Sequence, residues 1–527
     1  MIYHCEDHTC NYWDEGEKLP ERCPQCGRKL LRANEADMAG DDWTALGNTL
    51  WDAEASDKKR MVDCFRKAAY LGSAWGVCNL GICMEQGNGV EADPVQAFWL
   101  YQQAVEMGSL NAVCCLGVCY QYGIGTAPDA KQAAELYCKA AEYGSPRGQM
   151  LLAHAFHDGI GVEADAAEAV HWVRAAAYQR YGEGMYRLGV CYEYGDGVEQ
   201  NWEHAVHWFR EAAESGVSAA MTDLGYCYEK GCGVEQSWEQ AFSWYRRGAE
   251  CGYPVSMSNL GLCYKRGYGV EQNWQEAVKW YEQGAQCGNL QSMHNLACCY
   301  EHGEGVEQNM TEAIRWYTAA AEGGNADDMY ELGWQYDHGE GVEQDMKKAI
   351  CWYERAAEQN HPAAMNSLGE CYAMGRGVPR DLETAMEWYR RAAELGEAMA
   401  DYNMGWHLEQ AGKLSEAYTH YRKAADGNDD SAWWALGRFY ENGVVVAQDG
   451  KEARRCYETG EKLGSVKCKM RLARCKLLGI GGRREKKAGL DLCRQALELA
   501  KESSEKEDYG YEAEMNLLRR TIAENES

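Results

Sequence analysis

The chain has 527 residues, of which 46% are apolar and 26% charged, a mixture typical of packed proteins and unlike that of disordered ones. Its 82 Asp and Glu outnumber its 53 Lys and Arg, and the net charge of −29 disfavours nucleic acid and anionic membranes as main partners. There is no apolar run of about eighteen residues and no secretory signal at Met1–Cys10, so we expect a cytoplasmic protein without a membrane span, whose 25 cysteines are mostly thiols.

Four cysteines near the N-terminus have the spacing of a tetrahedral metal site. Cys5 and Cys10 are followed, after twelve residues, by Cys23 and Cys26 in the segment Cys-Pro-Gln-Cys-Gly. Two such knuckles with Gly or Pro turns can direct four thiolates at one ion, and His4 or His8 could replace one of them. Residues 1–36 are therefore predicted to form a small metal-binding module.

This module resembles a zinc ribbon, and in particular the rubredoxin-like ribbon of rubrerythrins. The resemblance rests on Tyr-x-Cys, on the Gly-Glu-x-x-Pro-Glu segment that begins at Gly16, and on Cys-Pro-x-Cys-Gly. The first knuckle departs from that family, because four residues separate Cys5 from Cys10 where two are usual. The resemblance implies one structural Zn²⁺ that folds a segment too small for its own core.

Iron in the same four-cysteine cage is the alternative, and it would make the chain an electron carrier. The sequence contains no flavin fingerprint, no di-iron carboxylate helices and no domain typical of a redox partner, which disfavours that interpretation. A ribbon that binds nucleic acid is a third possibility. The acidic first knuckle, with Glu6, Asp7, Asp14, Glu15 and Glu17, disfavours it.

From residue 37 to about residue 500 the chain repeats itself with a period of 36 residues. A Leu-Gly pair, or a close substitute, recurs at this spacing from Leu80 to Met404. Earlier and later copies at Leu46, Leu436 and Leu472 bring the total to thirteen units. Such a period is typical of repeat proteins, in which each unit buries its apolar face only against its neighbours.

The unit around Leu224 shows what one repeat is expected to form. Ala220, Leu224 and Tyr228 are four residues apart, so they line one stripe of a first helix, which we call helix A. Two glycines end helix A, and Ser237 is placed to cap a second helix, helix B. The predicted buried stripe of helix B contains Ala241, Trp244, Tyr245 and Ala249.

This pattern resembles the Sel-one-like repeat, a longer-looped relative of the tetratricopeptide repeat. The resemblance covers nearly the whole chain, and several units match at almost every signature position. It implies an all-α fold, a right-handed α-solenoid of about thirteen helix-turn-helix repeats over residues 37–500, used to bring other proteins together. The family pattern carries no catalytic residues. The loops after Met404 and Leu436 depart from it.

Most other cysteines follow the repeat and no redox motif. Eight of them stand three residues after the repeat Leu, where Ala155 takes the same position in another unit. Because a free Cys behaves as a small apolar residue, these eight are predicted to be buried thiols: Cys83, Cys119, Cys191, Cys227, Cys263, Cys299, Cys371 and Cys475.

One face of helix A is the predicted binding surface. By analogy with tetratricopeptide grooves, residues two before, one before and two after the repeat Leu should face a partner. Asparagine amides just before that residue could bind the backbone of an extended peptide, although the aromatic side chains nearby could equally pack between repeats. The candidates are Asn79, Asn259, Asn295, Asn403, Tyr330, Trp334, Tyr402, Trp406 and Trp434.

The C-terminal repeats differ in charge from the rest of the chain. Residues 451–494 contain 14 Lys and Arg against 5 Asp and Glu. This basic end is either a solvated surface or a docking site for an acidic partner, including another copy in head-to-tail self-association. Residues 501–527 carry Tyr511, Met515, Leu518 and Ile522 at helical spacing, which predicts a charged capping helix.

The sequence thus predicts a non-enzymatic scaffold that binds a protein or peptide partner along helix A. The electron-transfer protein with an iron-loaded site is the alternative. No Ser-His-Asp, Cys-His or paired-carboxylate arrangement stands out from the repeat background, although a constellation spread across repeats would not be visible in the sequence.

Overall fold

The computed structural model describes residues 2–5, 13–15, 30–32, 38–51, 55–506 and 512–526. The chain divides into two units, Met1–Trp280 and Tyr281–Ser527.

Three short strands precede the helices. They are β1 (Ile2–Cys5), β2 (Trp13–Glu15) and β3 (Leu30–Arg32), and they form an antiparallel sheet in the order β2-β1-β3. In this register Ile2 lies opposite Glu15, and Cys5 lies opposite Leu30.

The rest of the described chain is helical, which confirms the predicted all-α solenoid of helix-turn-helix repeats. Odd-numbered helices from α1 to α25 are the A helices, and each pairs with the B helix that follows it, so the described residues contain thirteen pairs and a final helix, α27. From the N-terminus the first fourteen helices are α1 Gly40–Thr49, α2 Ala55–Tyr70, α3 Ala74–Gln86, α4 Pro94–Glu106, α5 Leu110–Tyr122, α6 Ala130–Glu142, α7 Pro146–Asp158, α8 Ala166–Tyr178, α9 Gly182–Tyr194, α10 Trp202–Glu214, α11 Ser218–Lys230, α12 Trp238–Glu250, α13 Pro254–Arg266 and α14 Trp274–Gln286. The remaining helices are α15 Leu290–His302, α16 Met310–Glu322, α17 Ala326–His338, α18 Met346–Glu358, α19 Pro362–Met374, α20 Leu382–Glu394, α21 Ala398–Gln410, α22 Leu414–Asp426, α23 Asp430–Asn442, α24 Gly450–Lys462, α25 Val466–Leu478, α26 Lys486–Lys506 and α27 Glu512–Glu526.

The pair α11 and α12 shows why these residues form two helices. Gly231 ends α11 in the left-handed region, with a φ of 74°, and its N–H donates to the carbonyl of Cys227. The Ser237 side chain accepts a hydrogen bond from the Gln240 N–H and caps α12 as predicted. The predicted stripes are buried, since Leu224 and Ala241 are both 0% exposed.

A glycine next to the repeat Leu lets helix B pack closely on helix A of the same repeat. The ring of Tyr245, 1% exposed, lies against Gly225, where a methyl group would come within 2.6 Å of the ring. The Tyr245 hydroxyl then donates to Glu229 at the end of helix A, at 2.9 Å. The same Gly, Tyr and Glu arrangement joins α23 to α24 through Gly437, Tyr457 and Glu441.

The eight repeat cysteines are free thiols, and seven of them are buried, Cys191 being partly exposed. Burial raises the pKa of Cys83 to about 11 and that of Cys227 to about 12. This confirms their predicted place in the apolar core.

Two repeats depart from the common loop, at the positions where the sequence departs from the family pattern. Helix α21 ends at Gln410 and α22 already begins at Leu414, so the loop is shortened. In the repeat of Leu436, Val445 has a φ of 66°, a conformation in which the other repeats place glycine. A β-branched residue is strained there.

The final helix packs on the last repeat of the second unit. Met515 and Leu518 of α27 are buried against Met470, Ala473 and Leu477 of α25. Ile522 is partly buried in the same cluster, whereas Tyr511 lies outside the described residues.

Gln335 is a buried polar residue whose replacement should stabilise the fold. It takes the position of the repeat cysteines in α17, is 1% exposed, and its amide N and O have no partner within the described part of the chain. Because an unsatisfied buried amide is costly, we expect Gln335→Met to raise the free energy of unfolding by about 1–2 kcal/mol. Urea unfolding followed by circular dichroism measures this.

Gln149 is the matched control. It is also buried, but its amide donates to the Ala141 carbonyl at 3.4 Å and accepts from Gln179 at 2.8 Å. Gln149→Met should therefore lower stability. A loss of stability in both variants would show that size, and not the unpaired amide, decides the effect at Gln335.

Candidate functional site

The candidate site is the side of the A helices opposite the buried repeat Leu, which we call the helix-A face. At about 100° per residue, positions two before and two after that Leu lie side by side on the opposite side of the helix. The structure confirms exposure only for the position two after the Leu: Leu260 is 0% exposed and Leu262 is 37% exposed. The position two before it is buried in several repeats, as at Ser258, which is 3% exposed.

The residues two after the repeat Leu form a row whose chemistry changes along the chain. In the first unit the row contains mostly apolar side chains that are partly exposed: Ile82, Val118, Val190, Tyr226 and Leu262. In the second unit the corresponding residues are mixed: Cys298, Trp334, Glu370, Trp406, Arg438 and Arg474. The apolar part of this row was not singled out by the sequence analysis.

The four predicted asparagines divide into two kinds. Asn79 donates to Asn48 at 2.8 Å, and Asn403 donates to Asn366 at 3.0 Å, so both amides are used between neighbouring repeats. Asn259 and Asn295 are half-buried, and no hydrogen-bond partner of their amides is found among the described residues. These two amides are thus not used in contacts between repeats.

The five predicted aromatic residues also differ in their surroundings. Tyr330 stacks on His361 of the next repeat with ring centroids 5.0 Å apart, Tyr402 packs on Tyr421 at 5.6 Å, and the Trp434 ring lies between Arg438 and Lys467. These three side chains take part in packing.

Trp334 and Trp406 keep more of their surface available. Trp334 is partly exposed and stacks on His338 with centroids 4.3 Å apart. Trp406 is 39% exposed and touches His407 edge-on.

Polar side chains link successive repeats, a feature that the sequence analysis missed. The two residues of each link are about one repeat apart in the sequence. That spacing was the only feature of the sequence that could have indicated the links. The linked pairs are Asn111 with Arg147, Thr222 with Ser256, His294 with Asp328, Asp337 with Arg376, Glu409 with Arg438 and Glu441 with Arg474.

Half-buried carboxyl groups lie on several A helices. Burial raises the pKa of Asp223, which accepts a hydrogen bond from Tyr186 of the preceding repeat. Burial likewise raises the pKa of Glu193 and of Glu331. A partner bearing hydrogen-bond donors suits such a surface.

Much of the basic charge in the last repeats is already paired within the chain. Arg454 contacts Glu485 at 2.8 Å, and Arg474 contacts Glu441 at 2.8 Å. Arg455 is 76% exposed, and Arg483 is also exposed. The surface available for self-association is thus smaller than the sequence count suggests, and head-to-tail assembly stays a prediction.

Of the four predicted metal ligands, one lies within the described residues. Cys5 ends β1, whereas Cys10, Cys23 and Cys26 lie outside the described residues. Within the described ranges, no group of three or more His, Cys, Asp or Glu is arranged to hold a metal ion. Nor does any helix there combine the length and apolar character needed to cross a bilayer.

Comparison with known proteins gives one family. The model of the Sel1 repeat matches twelve segments, at residues 76–109, 112–145, 146–181, 182–217, 218–253, 254–289, 290–325, 326–361, 362–397, 398–429, 432–465 and 466–501. No curated protein matches the chain.

Two solved structures illustrate the similarity. A protective antigen of uropathogenic Escherichia coli displaying an SLR fold is 30% identical, with a TM-score of 0.60 over 81% of this chain and 90% of that chain. A Sel1 repeat protein from Oxalobacter formigenes is 31% identical, with a TM-score of 0.42 over 46% of this chain and 96% of that chain.

Proposed function

The chain belongs to the Sel1 repeat family, and on that premise we propose that it is a non-enzymatic scaffold that binds a protein or peptide along the helix-A face. Repeat solenoids of this kind typically mediate interactions between proteins. The observation that carries the proposal is the pair of unpaired, half-buried amides, Asn259 and Asn295, each one helical turn from an accessible residue of the row, Leu262 or Cys298.

A half-buried amide that binds only water in the free protein can exchange that water for hydrogen bonds to a peptide backbone that reaches it. The exposed apolar and aromatic side chains beside these amides would supply the buried contact area of the complex. Within the second unit the row from Cys298 to Arg474 continues at the repeat spacing, which suits an extended segment that crosses several A helices of that unit.

Photo-crosslinking locates the binding surface. A photoreactive phenylalanine analogue at Trp406, on the helix-A face, should capture a partner from a cell extract. The same analogue at Trp99, a 56% exposed residue on a B helix, should not capture it. Equal capture at both positions would contradict a binding site on the helix-A face.

Asn295→Ala is expected to weaken binding of the captured partner about five- to tenfold, the loss of one to two good hydrogen bonds, with an unchanged melting temperature. Isothermal titration calorimetry and thermal unfolding measure the two effects. Asn403→Ala is the matched control at the same repeat position, and because its amide bridges Asn366 and Glu370, it should instead lower stability by about 1 kcal/mol. If Asn295→Ala lowers stability and Asn403→Ala weakens binding instead, Asn295 does not have the proposed role.

We also propose that Cys5, Cys10, Cys23 and Cys26 hold one structural Zn²⁺, with iron as the alternative metal. The strand register supports this proposal. Cys5 ends β1 opposite Leu30, the first residue of β3, and in the sequence the second knuckle ends four residues before Leu30. Thiolates at one end of a small sheet suit Zn²⁺, which would hold this segment together.

Elemental analysis of the purified protein should find about one zinc per chain and no visible colour. Cys23→Ala and Cys26→Ala should each abolish that zinc while leaving the far-UV dichroism of the repeats nearly intact, because repeats couple mainly to their neighbours. One iron per chain, with a red spectrum that bleaches on reduction, would instead favour the electron-transfer alternative.

A further inference from the structure

Cys298 differs from every repeat cysteine in its position and its contacts. It lies on the helix-A face, two residues after the repeat Leu, and is partly exposed, whereas the adjacent Cys299 is 0% exposed. One turn earlier on the same helix, His294 places Nε2 at 3.6 Å from the Cys298 sulfur. A thiol and an imidazole are thus in contact within α15.

The other ring nitrogen of His294 is held by a buried carboxylate. His294 Nδ1 lies 2.8 Å from Asp328 Oδ1, and the Asp328 side chain is 0% exposed. This hydrogen bond, with the one to Cys298, raises the pKa of His294 to about 10. Burial raises the pKa of Asp328 as well, so the pair retains a proton at neutral pH.

The sulfur therefore faces an imidazolium N–H, which places a proton donor directly beside the nucleophile. On its other side the sulfur lies 3.3 Å from the Tyr317 hydroxyl, which donates to Glu301 at 2.6 Å. Burial raises the pKa of Tyr317, so it remains a neutral phenol. A nucleophile, a proton-donating imidazolium and an orienting carboxylate are therefore in contact, as at cysteine nucleophiles paired with histidine in enzymes.

We propose that Cys298 is a nucleophilic site for covalent modification by small, neutral α,β-unsaturated carbonyl compounds. The sulfur forms a bond to the β-carbon, and the electron pair of the carbon–carbon double bond moves to the α-carbon. That carbon takes the proton from His294 Nε2. The net reaction adds the cysteine S and H across the double bond, so it needs no oxidant and releases no leaving group.

The surrounding charges explain why a neutral reagent is expected. Asp327, Asp328 and Glu331 of α17, together with Glu301 of α15, place carboxyl groups around His294 and Cys298. An anionic electrophile would be repelled by this set. The site does not depend on the proposed scaffold function, and either can fail without the other.

The test labels the full chain in its native state with limiting acrylamide at pH 6.5 and follows each cysteine by peptide mass spectrometry. An ordinary thiol of pKa about 8.5 is only about 1% thiolate at that pH. Cys298 should be modified at least about tenfold faster than the exposed Cys287 and Cys351, for which the structure shows no His or Arg donor. Equal or slower labelling of Cys298 would overturn the proposal.

Two variants separate activation from exposure. His294→Gln and Asp328→Asn should each lower the rate at Cys298 to that of the exposed cysteines, with unchanged rates at Cys287 and Cys351. Buried Cys299 reports on folding in the same spectra, because it becomes labelled only if the repeat opens. Anionic iodoacetate should show a smaller Cys298 preference than neutral iodoacetamide. A Cys298 rate unchanged by both variants, with Cys299 still protected, would overturn the role of the imidazole.

Discussion

Gly161→Ala should lower the free energy of unfolding by about 3 kcal/mol, far more than a glycine-to-alanine change at a loop position usually costs. Gly161 lies in the loop after α7, with a φ of 70°. A methyl group there would overlap the carbonyl of Ala130, at the start of α6 in the preceding repeat, and would come within 2.9 Å of the Lys131 nitrogen. Both are backbone groups, so no side chain can move aside.

Gly144→Ala is the matched control in the same part of the chain. Gly144 also has a positive φ, 81°, but nothing lies within 4 Å of the added methyl group. The left-handed conformation alone costs alanine about 1–2 kcal/mol. Alanine also leaves the unfolded chain fewer conformations than glycine does, which offsets about 0.4–1 kcal/mol of this cost.

Urea unfolding of both variants gives the comparison, and hydrogen exchange of α6 and α8 shows whether the loss is local. Long repeat arrays do not always unfold in one step, so the exchange data are needed beside the midpoint. Equal losses in Gly161→Ala and Gly144→Ala would mean that backbone strain, and not the contact between repeats, is what glycine relieves at Gly161.

Tyr457→Ala is expected to destabilise the second unit by about 3–5 kcal/mol, the usual range for removing a large buried ring. The Tyr457 ring is 0% exposed and packs against Gly437, Leu472 and Cys475. Its hydroxyl donates to Glu441 at 2.8 Å, and Glu441 also accepts from Arg474 of the next repeat at 2.8 Å. The tyrosine thus stabilises its own repeat and the contact to the next one.

Tyr457→Phe separates the ring from the hydroxyl. It keeps the buried ring and loses one hydrogen bond to a carboxylate that still has an arginine donor, so it should cost only about 1 kcal/mol. Thermal and urea unfolding of the two variants test both values. If Tyr457→Phe is as destabilising as Tyr457→Ala, the hydrogen bond and not the packed ring carries the stability.

Several features of the candidate site were predictable because they lie within one helix. The position of Asn295 before the repeat Leu places its amide on the helix-A face. The spacing of His294 and Cys298 also places both side chains on one stripe, although the sequence analysis did not single out this pair. Asp328, which orients His294, is 34 residues away on the next A helix. No local rule identifies that contact.

The four asparagines show the same difference between what one helix determines and what contacts between repeats determine. All four occupy the same position in their repeats, yet Asn403 is hydrogen-bonded to Asn366 and Asn295 has no partner within the described ranges. The difference depends on which side chain the preceding repeat places opposite the amide. This difference between the two asparagines is therefore visible only in the stacked repeats of the structure.

The sequence by itself determined the repeating unit of this protein: the 36-residue period, the helix caps such as Ser237, and the buried stripes of both helices. These follow from hydrogen bonding and side-chain spacing within a few residues, where helix geometry is the same in any context. Only the tertiary structure decided which groups meet between repeats. Gly161 lies against the Ala130 carbonyl, and Asp328 binds His294, because the stacking of successive helix pairs sets those distances.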